Sequence, residues 1–316
     1  MKKINKWFIG ILLFLVLLGG LTVGGAFYLL DFALCPEMVS MAVSEKSIRK
    51  EYPQVNPWLD SLQSCQALRD TFIVAADGER LHALYARAKT PTRRTAVIVH
   101  GYTDKALEML HIGYVYHHDL GYNILLPDLR YAGLTPGKAI QMGWKDRLDV
   151  MRWIEASPGI IGDSLQMVVH GISMGAATTM MVSGEILPPY VKCFVEDCGY
   201  TSVWDQFAKE LKGQFGLPAF PLLHTASALC DWKYGWNFRE ASALEQVKKC
   251  ELPMFFIHGD KDDYVPTWMV YDLYRAKPEP KEIWVTREVD HAHSYRQYPL
   301  EYRRKVGDFT NKFLEK

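Results

Sequence analysis

The chain has 316 residues, 49% of them hydrophobic, and its 36 lysines and arginines are balanced by 36 aspartates and glutamates. This is enough apolar material for one large core or two small ones. The balanced charge gives no reason to expect a nucleic-acid partner, which would favour a basic stripe. The six cysteines have no metal-ligand spacing, so no metal site is predicted, and Cys230 with Cys250 is one conceivable disulfide pair.

The first long apolar segment covers residues 7–30 and contains no charged residue. At about 1.5 Å per residue it reaches roughly 36 Å, enough to cross a hydrocarbon core of about 30 Å with some tilt. Three lysines precede the segment and Asp31 follows it, so the positive-inside rule predicts that the rest of the chain lies outside the cytoplasm. A cleaved signal peptide is the alternative, but no small-residue cleavage site is evident near Ala33. We therefore expect residues 1–30 to be an uncleaved, single-pass anchor in the cell membrane.

Residues 31–69 are mixed in character, and prolines interrupt their helical stretches. They predict a connector with one or two short helices. Beyond it, Asp77-Gly78 is a strong turn signal between strands over 71–75 and 81–86. Further predicted strands cover 96–99, 123–126, 165–169, 191–195, 254–257 and 282–285, and predicted helices cover 106–117, 144–155 and 267–275, with a final helix to the C-terminus.

An antiparallel start followed by repeated strand–helix units predicts an α/β domain over 70–316. Its sheet is expected to be mostly parallel, with helices on both faces. The amphipathic helix over 144–155 offers the core Leu148, Met151, Trp153 and Ile154. An insertion at about 199–251, rich in aromatic residues, is expected to form a small helical cap over the site.

The strand over 165–169 leads through a tight turn, Gly171-Ile172-Ser173-Met174-Gly175, into a segment of helix formers. A strand, a serine between two glycines and a helix form a nucleophile elbow. The strained turn lifts the serine hydroxyl above the sheet, and the glycines let strand and helix approach closely. The helix that follows aims free N–H groups at an oxyanion. Ser173 is therefore the candidate nucleophile.

In such sheets reactive groups gather beyond the carboxyl ends of the strands. An acid to orient a histidine base is available there from Asp260, Asp262 or Asp263, and the residues alone leave this choice open. Asp197, which also follows a strand, is a fourth candidate but is better explained as a structural hydrogen-bond acceptor.

The base is expected between the last strand and the last helix, where His291 and His293 both qualify by spacing. His100 ends an earlier strand and is better explained as a brace for its loop. Beside it, the backbone N–H of Tyr102 is placed to join that of Met174 in an oxyanion hole.

Taken together, these motifs resemble those of the α/β-hydrolase superfamily, specifically the bacterial membrane-anchored hydrolases akin to the serine aminopeptidase-like esterases. The resemblance spans about residues 71–314. Its marks are the His-Gly loop, Asp128-Leu-Arg130, Met142-Gly143, the Gly-x-Ser-x-Gly elbow, Gly259-x-x-Asp262-x-x-Val265-Pro266 and His291-Ala-x-Ser294-Tyr295.

The resemblance implies Ser173 as nucleophile, Asp262 as acid and His291 as base, with Tyr102 and Met174 as oxyanion donors. Asp263 and His293 are the fallback assignments. The resemblance implies neither a cofactor nor a metal. Many relatives have Gly-His-Gly-x-Ser after Asp-x-Arg, whereas this chain has residues 131–135, Tyr-Ala-Gly-Leu-Thr. That loop borders the pocket in the family, so the departure concerns substrate preference rather than chemistry.

The main hypothesis is a serine hydrolase that cleaves carboxylic esters through an acyl-enzyme on Ser173. A cap of this size favours modest esters or amides over long lipids. An aminopeptidase-like amide or peptide hydrolase is the alternative, because the triad serves both reactions. A non-catalytic binding module of the same fold is a second alternative. A membrane-assembly component that uses Gly20 and Gly24 as a helix contact is a third.

Overall fold

The structure is a computed structural model that describes residues 6–315. Its strands are β1 Arg69–Val74, β2 Arg80–Ala86, β3 Arg94–Val99, β4 Asn123–Pro127, β5 Gln166–Ile172, β6 Val191–Asp197, β7 Met254–Gly259 and β8 Lys281–Thr286. They form an eight-stranded sheet in the order β1-β2-β4-β3-β5-β6-β7-β8. β2 is antiparallel to both of its neighbours, and every other pair of neighbours is parallel. The predicted mostly parallel sheet is confirmed.

The central strands are buried on both faces, as β3 illustrates. Val97 and Val99 pack into one apolar cluster, whereas Ala96 and Ile98 pack into a second cluster on the opposite face. Successive side chains of a strand point to opposite faces, so a strand covered on both sides reads as a continuous apolar run. The predicted helices on both faces are therefore confirmed as well.

The helices are α1 Lys6–Leu34, α2 Met41–Glu51, α3 Asn56–Ser64, α4 Leu110–Tyr114, α5 Asp146–Ile161, α6 Met174–Ser183, α7 Val203–Phe215, α8 Leu222–Tyr234, α9 Ala243–Val247, α10 Trp268–Ala276, α11 Ser294–Gln297 and α12 Pro299–Thr310. The end of α1 and helices α5 to α10 cover one face of the sheet. Helices α2, α3, α4, α11 and α12 cover the other face.

Two local predictions differ from the structure. The helix expected over 106–117 consists of a 3-10 turn, Ala106–Met109, then α4, then a π-helical turn, Val115–Asp119. Leu148 was assigned to the core but is 44% exposed. The apolar stripe of α5 runs through Val150, Trp153 and Ile154. Leu148 lies about 200° around the helix from Val150, on the solvent side.

The cysteines do not support the conceivable pairing of Cys230 with Cys250. Both residues are buried free thiols, and the other four cysteines are free as well. Cys230 lies in α8, and Cys250 follows α9. The structure therefore contradicts that pairing.

Helix α1 continues four residues past the boundary at residue 30 that composition indicates. By length and composition it is apolar enough to cross a membrane, a property that signal sequences share. The side chains of residues 7–21 are exposed, whereas Ala26, Leu30 and Leu34 are buried in the core that covers one face of the sheet. The carbonyl of Leu34 also accepts a hydrogen bond from the Ile140 N–H, at 2.8 Å. The last turns of α1 therefore belong to the globular core.

Candidate active site

The turn between β5 and α6 holds Ser173 in an unusual backbone conformation. Its φ of 56° and ψ of −119° are sterically unfavourable for a residue with a side chain. A Cβ on Gly171 would overlap the backbone of Gly175, and a Cβ on Gly175 would overlap the carbonyl of Val99. The Ser173 N–H donates to the Asp197 carbonyl at 2.8 Å, which fixes the turn to the neighbouring strand. The two glycines thus allow the close approach that the sequence pattern predicts.

Three predicted side chains meet beyond the carboxyl ends of β5, β7 and β8. Ser173 Oγ lies 2.8 Å from His291 Nε2, and His291 Nδ1 lies 2.7 Å from Asp262 Oδ2. Ser173 is 8% exposed, the Asp262 side chain is fully buried, and the His291 side chain is 20% exposed. The hydroxyl, the imidazole and the carboxylate form a continuous hydrogen-bonded chain, and its middle member, His291, is the most exposed of the three.

The Asp262 carboxylate is held in its charged form. Its Oδ1 accepts hydrogen bonds from the N–H groups of Tyr264 and Val265, at 3.0 and 2.8 Å. Its Oδ2 also lies 3.3 Å from His258 Nε2, which the sequence reasoning did not single out. Burial raises the pKa of Asp262, but hydrogen bonds from His258 and His291 outweigh burial and lower it to about 2.

The alternative acids and the alternative base lie apart from this chain of hydrogen bonds. Asp260 and Asp263 are exposed at the surface. His293 is half-buried, with its side chain 40% exposed, and pairs with Asp290 at 2.5 Å. Asp197 is buried behind the elbow, where its Oδ2 accepts a hydrogen bond from the Tyr302 hydroxyl at 2.9 Å, and burial raises its pKa to about 7.

Two candidate backbone donors lie near the serine: Tyr102 in the loop after β3 and Met174 at the start of α6. Within the part of the chain that the structure describes, neither the Tyr102 N–H nor the Met174 N–H has a protein acceptor. Both residues line the same cavity as Ser173. His100 braces the loop: its Nδ1 donates to the Gly101 carbonyl at 2.8 Å, and its Nε2 accepts from the Leu129 N–H at 2.9 Å. Burial lowers the pKa of His100, which favours the neutral ring that this pattern needs.

A metal ion has only one candidate set of ligands among the described residues near the serine. Atoms of Cys198, Asp262 and His291 lie within 4.8 Å of one another. Asp262 and His291 already bond to each other, however, and burial raises the pKa of the Cys198 thiol well above its usual value. A thiol ligates a metal as the thiolate. The donor set therefore fits the serine–histidine–aspartate arrangement better than a metal.

A cavity of about 270 Å³ opens beside Ser173 and is lined mostly by apolar side chains. The cap contributes Phe207, Phe215 and Leu223 to its wall, together with the carboxylate of Glu210. The wall also includes residues of the N-terminal helix, namely Leu29, Leu30, Phe32 and Ala33. The contribution of α1 was not predicted. An uncharged apolar segment indicates a membrane span, and nothing in its pattern indicates that its end also packs against the catalytic domain.

A direct hydrogen bond joins α1 to the loop after β3. The Tyr102 hydroxyl donates to the Ala33 carbonyl at 2.9 Å. Tyr102 thus contacts the anchor helix through its side chain and lines the same cavity as Ser173. The end of α1 is part of the candidate active site.

Comparison with solved structures reveals the same fold. The esterase Pf2001 of Pyrococcus furiosus superposes with a TM-score of 0.64 at 23% identity, over 78% of this chain and 93% of that one. The acylaminoacyl peptidase of Pyrococcus horikoshii superposes with a TM-score of 0.60 at 16% identity, over 79% of this chain and 42% of that one. These neighbours share the α/β-hydrolase fold with the chain.

Fold and family comparisons together define a serine hydrolase of the α/β-hydrolase superfamily, which confirms the superfamily predicted from the motifs. The model of the prolyl oligopeptidase family matches residues 136–316. The uncharacterized protein YqkD of Bacillus subtilis is 31% identical over 227 residues, 72% of this chain and 74% of that protein. Rv2307c of Mycobacterium tuberculosis is 24% identical over 76% of this chain and 78% of that protein. The chain belongs to the prolyl oligopeptidase family.

Proposed function

We propose that the protein is a membrane-anchored serine esterase in which Ser173, His291 and Asp262 form a catalytic triad. The observation that carries the proposal is the hydrogen-bonded chain from Ser173 Oγ through His291 to Asp262, with distances of 2.8 and 2.7 Å. The strained elbow beneath the serine and the two free N–H groups beside it support the same roles.

In the proposed reaction, Ser173 Oγ attacks the ester carbonyl while His291 Nε2 takes the hydroxyl proton. Asp262 holds the His291 tautomer that has its proton on Nδ1 and stabilises the imidazolium that forms. The N–H groups of Tyr102 and Met174 stabilise the oxyanion. His291 then returns the proton to the leaving alcohol, and the acyl–oxygen bond of the ester breaks. Water, activated by His291, repeats these steps on the acyl-enzyme and releases a carboxylic acid.

We propose an ester substrate rather than a peptide with a free amino terminus because the described residues of the cavity offer no unpaired negative charge to bind an ammonium group. Glu210 is the one carboxylate in the cavity wall as the structure describes it, and its Oε1 lies 2.7 Å from Lys209 Nζ. That ion pair neutralises the group an aminopeptidase would use to bind the substrate ammonium. Membership in the prolyl oligopeptidase family and the position of Glu210 keep amide hydrolysis as the second candidate.

The contacts of α1 support an uncleaved anchor. Cleavage near residue 33 would remove Ala26 and Leu30 from the core and would break the hydrogen bond from Tyr102 to Ala33. We propose that residues 7–25 cross the membrane and that the catalytic domain lies outside the cytoplasm. The orientation rests on the lysines near the N-terminus, of which Lys2 and Lys3 lie outside the described residues.

Fluorophosphonate labelling of the full-length protein in detergent tests the nucleophile. We expect stoichiometric modification of Ser173, located by mass, and loss of labelling in Ser173→Ala. Ser61→Ala replaces an exposed serine of α3 and is expected to label normally. Absence of labelling in folded wild-type protein would favour the non-catalytic binding module.

Matched ester and amide substrates then separate the two candidate activities. A short acyl p-nitrophenyl ester and an aminoacyl p-nitroanilide are compared on wild type and on Glu210→Gln. An esterase prefers the acyl ester and loses little of that activity on the substitution. Preferential cleavage of the anilide, lost on neutralising Glu210, would establish the aminopeptidase alternative.

A further inference from the structure

The cavity beside Ser173, where we propose that the acyl group binds, is lined by residues of both the catalytic domain and the anchor helix α1. Phe32 of α1 and Phe215 of α7 line it together, and their ring centroids are 6.0 Å apart in an edge-to-face contact. Ala33, at the same end of α1, also lines the cavity, and its carbonyl accepts a hydrogen bond from the Tyr102 hydroxyl. An enzyme that takes its substrate only from water has no need for its anchor to form part of the acyl site.

The distance from the membrane span to this cavity is short. Residues 7–25 of α1 carry no charge, and the hydroxyl of Thr22 bonds back to the Leu18 carbonyl at 2.9 Å. Nineteen residues at about 1.5 Å each cover roughly 28 Å, close to the thickness of a hydrocarbon core. The first cavity residue, Leu29, comes only about 6 Å further along the helix. A span over residues 7–25 therefore puts the cavity at the membrane surface.

The loop between α7 and α8 also lies at the level of the membrane surface. Helix α8 begins beside the end of the proposed membrane span, because Leu222 at its start packs against Gly25 of α1. The loop that precedes it carries Leu217 and Phe220, which are exposed, Phe220 to 71%. Two exposed apolar side chains next to the end of a membrane span match the pattern of residues that enter the interfacial region.

We propose that the substrate is a single-chain acyl ester that resides in the bilayer, and that its acyl chain enters the cavity along the end of α1, past Leu217 and Phe220. This inference rests on the proposed esterase function and names its substrate class. The cavity of about 270 Å³ is just below the usual range for a drug-sized ligand, so it suits one acyl chain of modest length rather than two. Its modest size agrees with the small cap that the sequence predicts.

Membrane access is tested with full-length protein reconstituted in phosphatidylcholine vesicles. A medium-chain monoacylglycerol in the vesicles serves as the membrane substrate, and a water-soluble acetyl ester serves as the reference. Leu217→Ser/Phe220→Ser lies outside the cavity wall. We expect it to keep acetyl ester turnover within about twofold while monoacylglycerol turnover falls about tenfold or more, since each residue loses its apolar contact with the bilayer. Ile186→Ser, at an apolar side chain that is 96% exposed in the loop between α6 and β6, is the matched control and is expected to change neither.

Chain-length preference gives a second measurement that does not depend on the loop. In detergent, each methylene that enters the cavity is expected to raise kcat/KM about fourfold until the cavity is full. Ala33→Phe narrows the cavity from the side of α1 and is expected to shift the optimum to a shorter acyl chain.

The outcomes separate the two proposals. Membrane access would be overturned if the loop variant and wild type turned over monoacylglycerol equally and if Ala33→Phe left the chain-length optimum unchanged. Normal acetyl ester turnover in the same experiments would leave the esterase proposal intact. Absence of both activities, together with absence of labelling at Ser173, would overturn the esterase proposal itself.

Discussion

Replacing Asp262 with asparagine removes the charge at the end of the proposed triad while keeping the shape of the side chain. The remaining amide oxygen still accepts from the Tyr264 and Val265 N–H groups. The new amide nitrogen is a donor and faces His291 Nδ1, which donates in the wild type. His291 must then accept at Nδ1 and carry its proton on Nε2, where it cannot take a proton from Ser173.

The structure sets limits on the loss of activity. A carboxyl pKa of about 2, against an ordinary value of about 3.9, corresponds to about 2.6 kcal/mol of stabilisation of the charged form by His258 and His291 together, or roughly 10²-fold. The forced change of tautomer adds to this, and the corresponding substitution in a serine-protease triad costs roughly 10⁴-fold in kcat. We expect Asp262→Asn to lower kcat by about 10² to 10⁴, with KM changed little.

The assay is steady-state hydrolysis of an acetyl ester by full-length protein in detergent. Asp263→Asn is the matched control, because that side chain is the neighbouring aspartate and is exposed. We expect it to retain wild-type kcat. The reasoning is refuted if Asp262→Asn stays within tenfold of wild type, or if Asp263→Asn loses as much activity.

Three further predictions concern stability, each measured by unfolding in detergent. Burial raises the pKa of Asp197 to about 7, so its contribution to stability is greatest below pH 4 and falls as pH rises to 7. Asp197→Asn should therefore stabilise the protein at pH 8 by up to about 4 kcal/mol relative to pH 4, and an equal effect at both pH values would contradict this. Gly171→Ala should destabilise by several kcal/mol through its backbone overlap, whereas Gly159→Ala, with open space in α5, should stabilise by about 0.5–1 kcal/mol. Leu30→Ala should lower the free energy of unfolding by about 2–5 kcal/mol, because Leu30 is buried, whereas Leu15→Ala, at an exposed side chain, should lower it little. Equal effects would mean that α1 does not pack on the core.

The anchor is the part of the chain whose role changes most between sequence and structure. Its last turns bury Leu30 in the core and place Ala33 against Tyr102. A truncated protein that begins after residue 30 therefore loses core packing and part of the cavity wall. Activity measurements on the full-length chain avoid this effect.

The sequence by itself determined the features encoded by contiguous residues. The strand, the Gly-x-Ser-x-Gly turn and the helix after it lie within about 20 residues, and each glycine meets a local steric need. The alternation of strands and helices determined the mostly parallel sheet, which is confirmed. The order of motifs predicted the superfamily, which is also confirmed, and it proposed Ser173, Asp262 and His291, whose roles stay predictions.

Tertiary structure decided what depends on distant contacts. Spacing left several aspartates and two histidines open, and only the packing of the loops after β7 and β8 brings Asp262 and His291 to Ser173. The contact between Ala33 and Tyr102 joins residues 69 positions apart, and no local pattern encodes it. A leucine in an uncharged apolar run has the same signal whether it faces lipid or a protein core, because both surroundings exclude water. For that reason the sequence predicted a membrane span, and only the fold revealed that its end is a wall of the candidate active site.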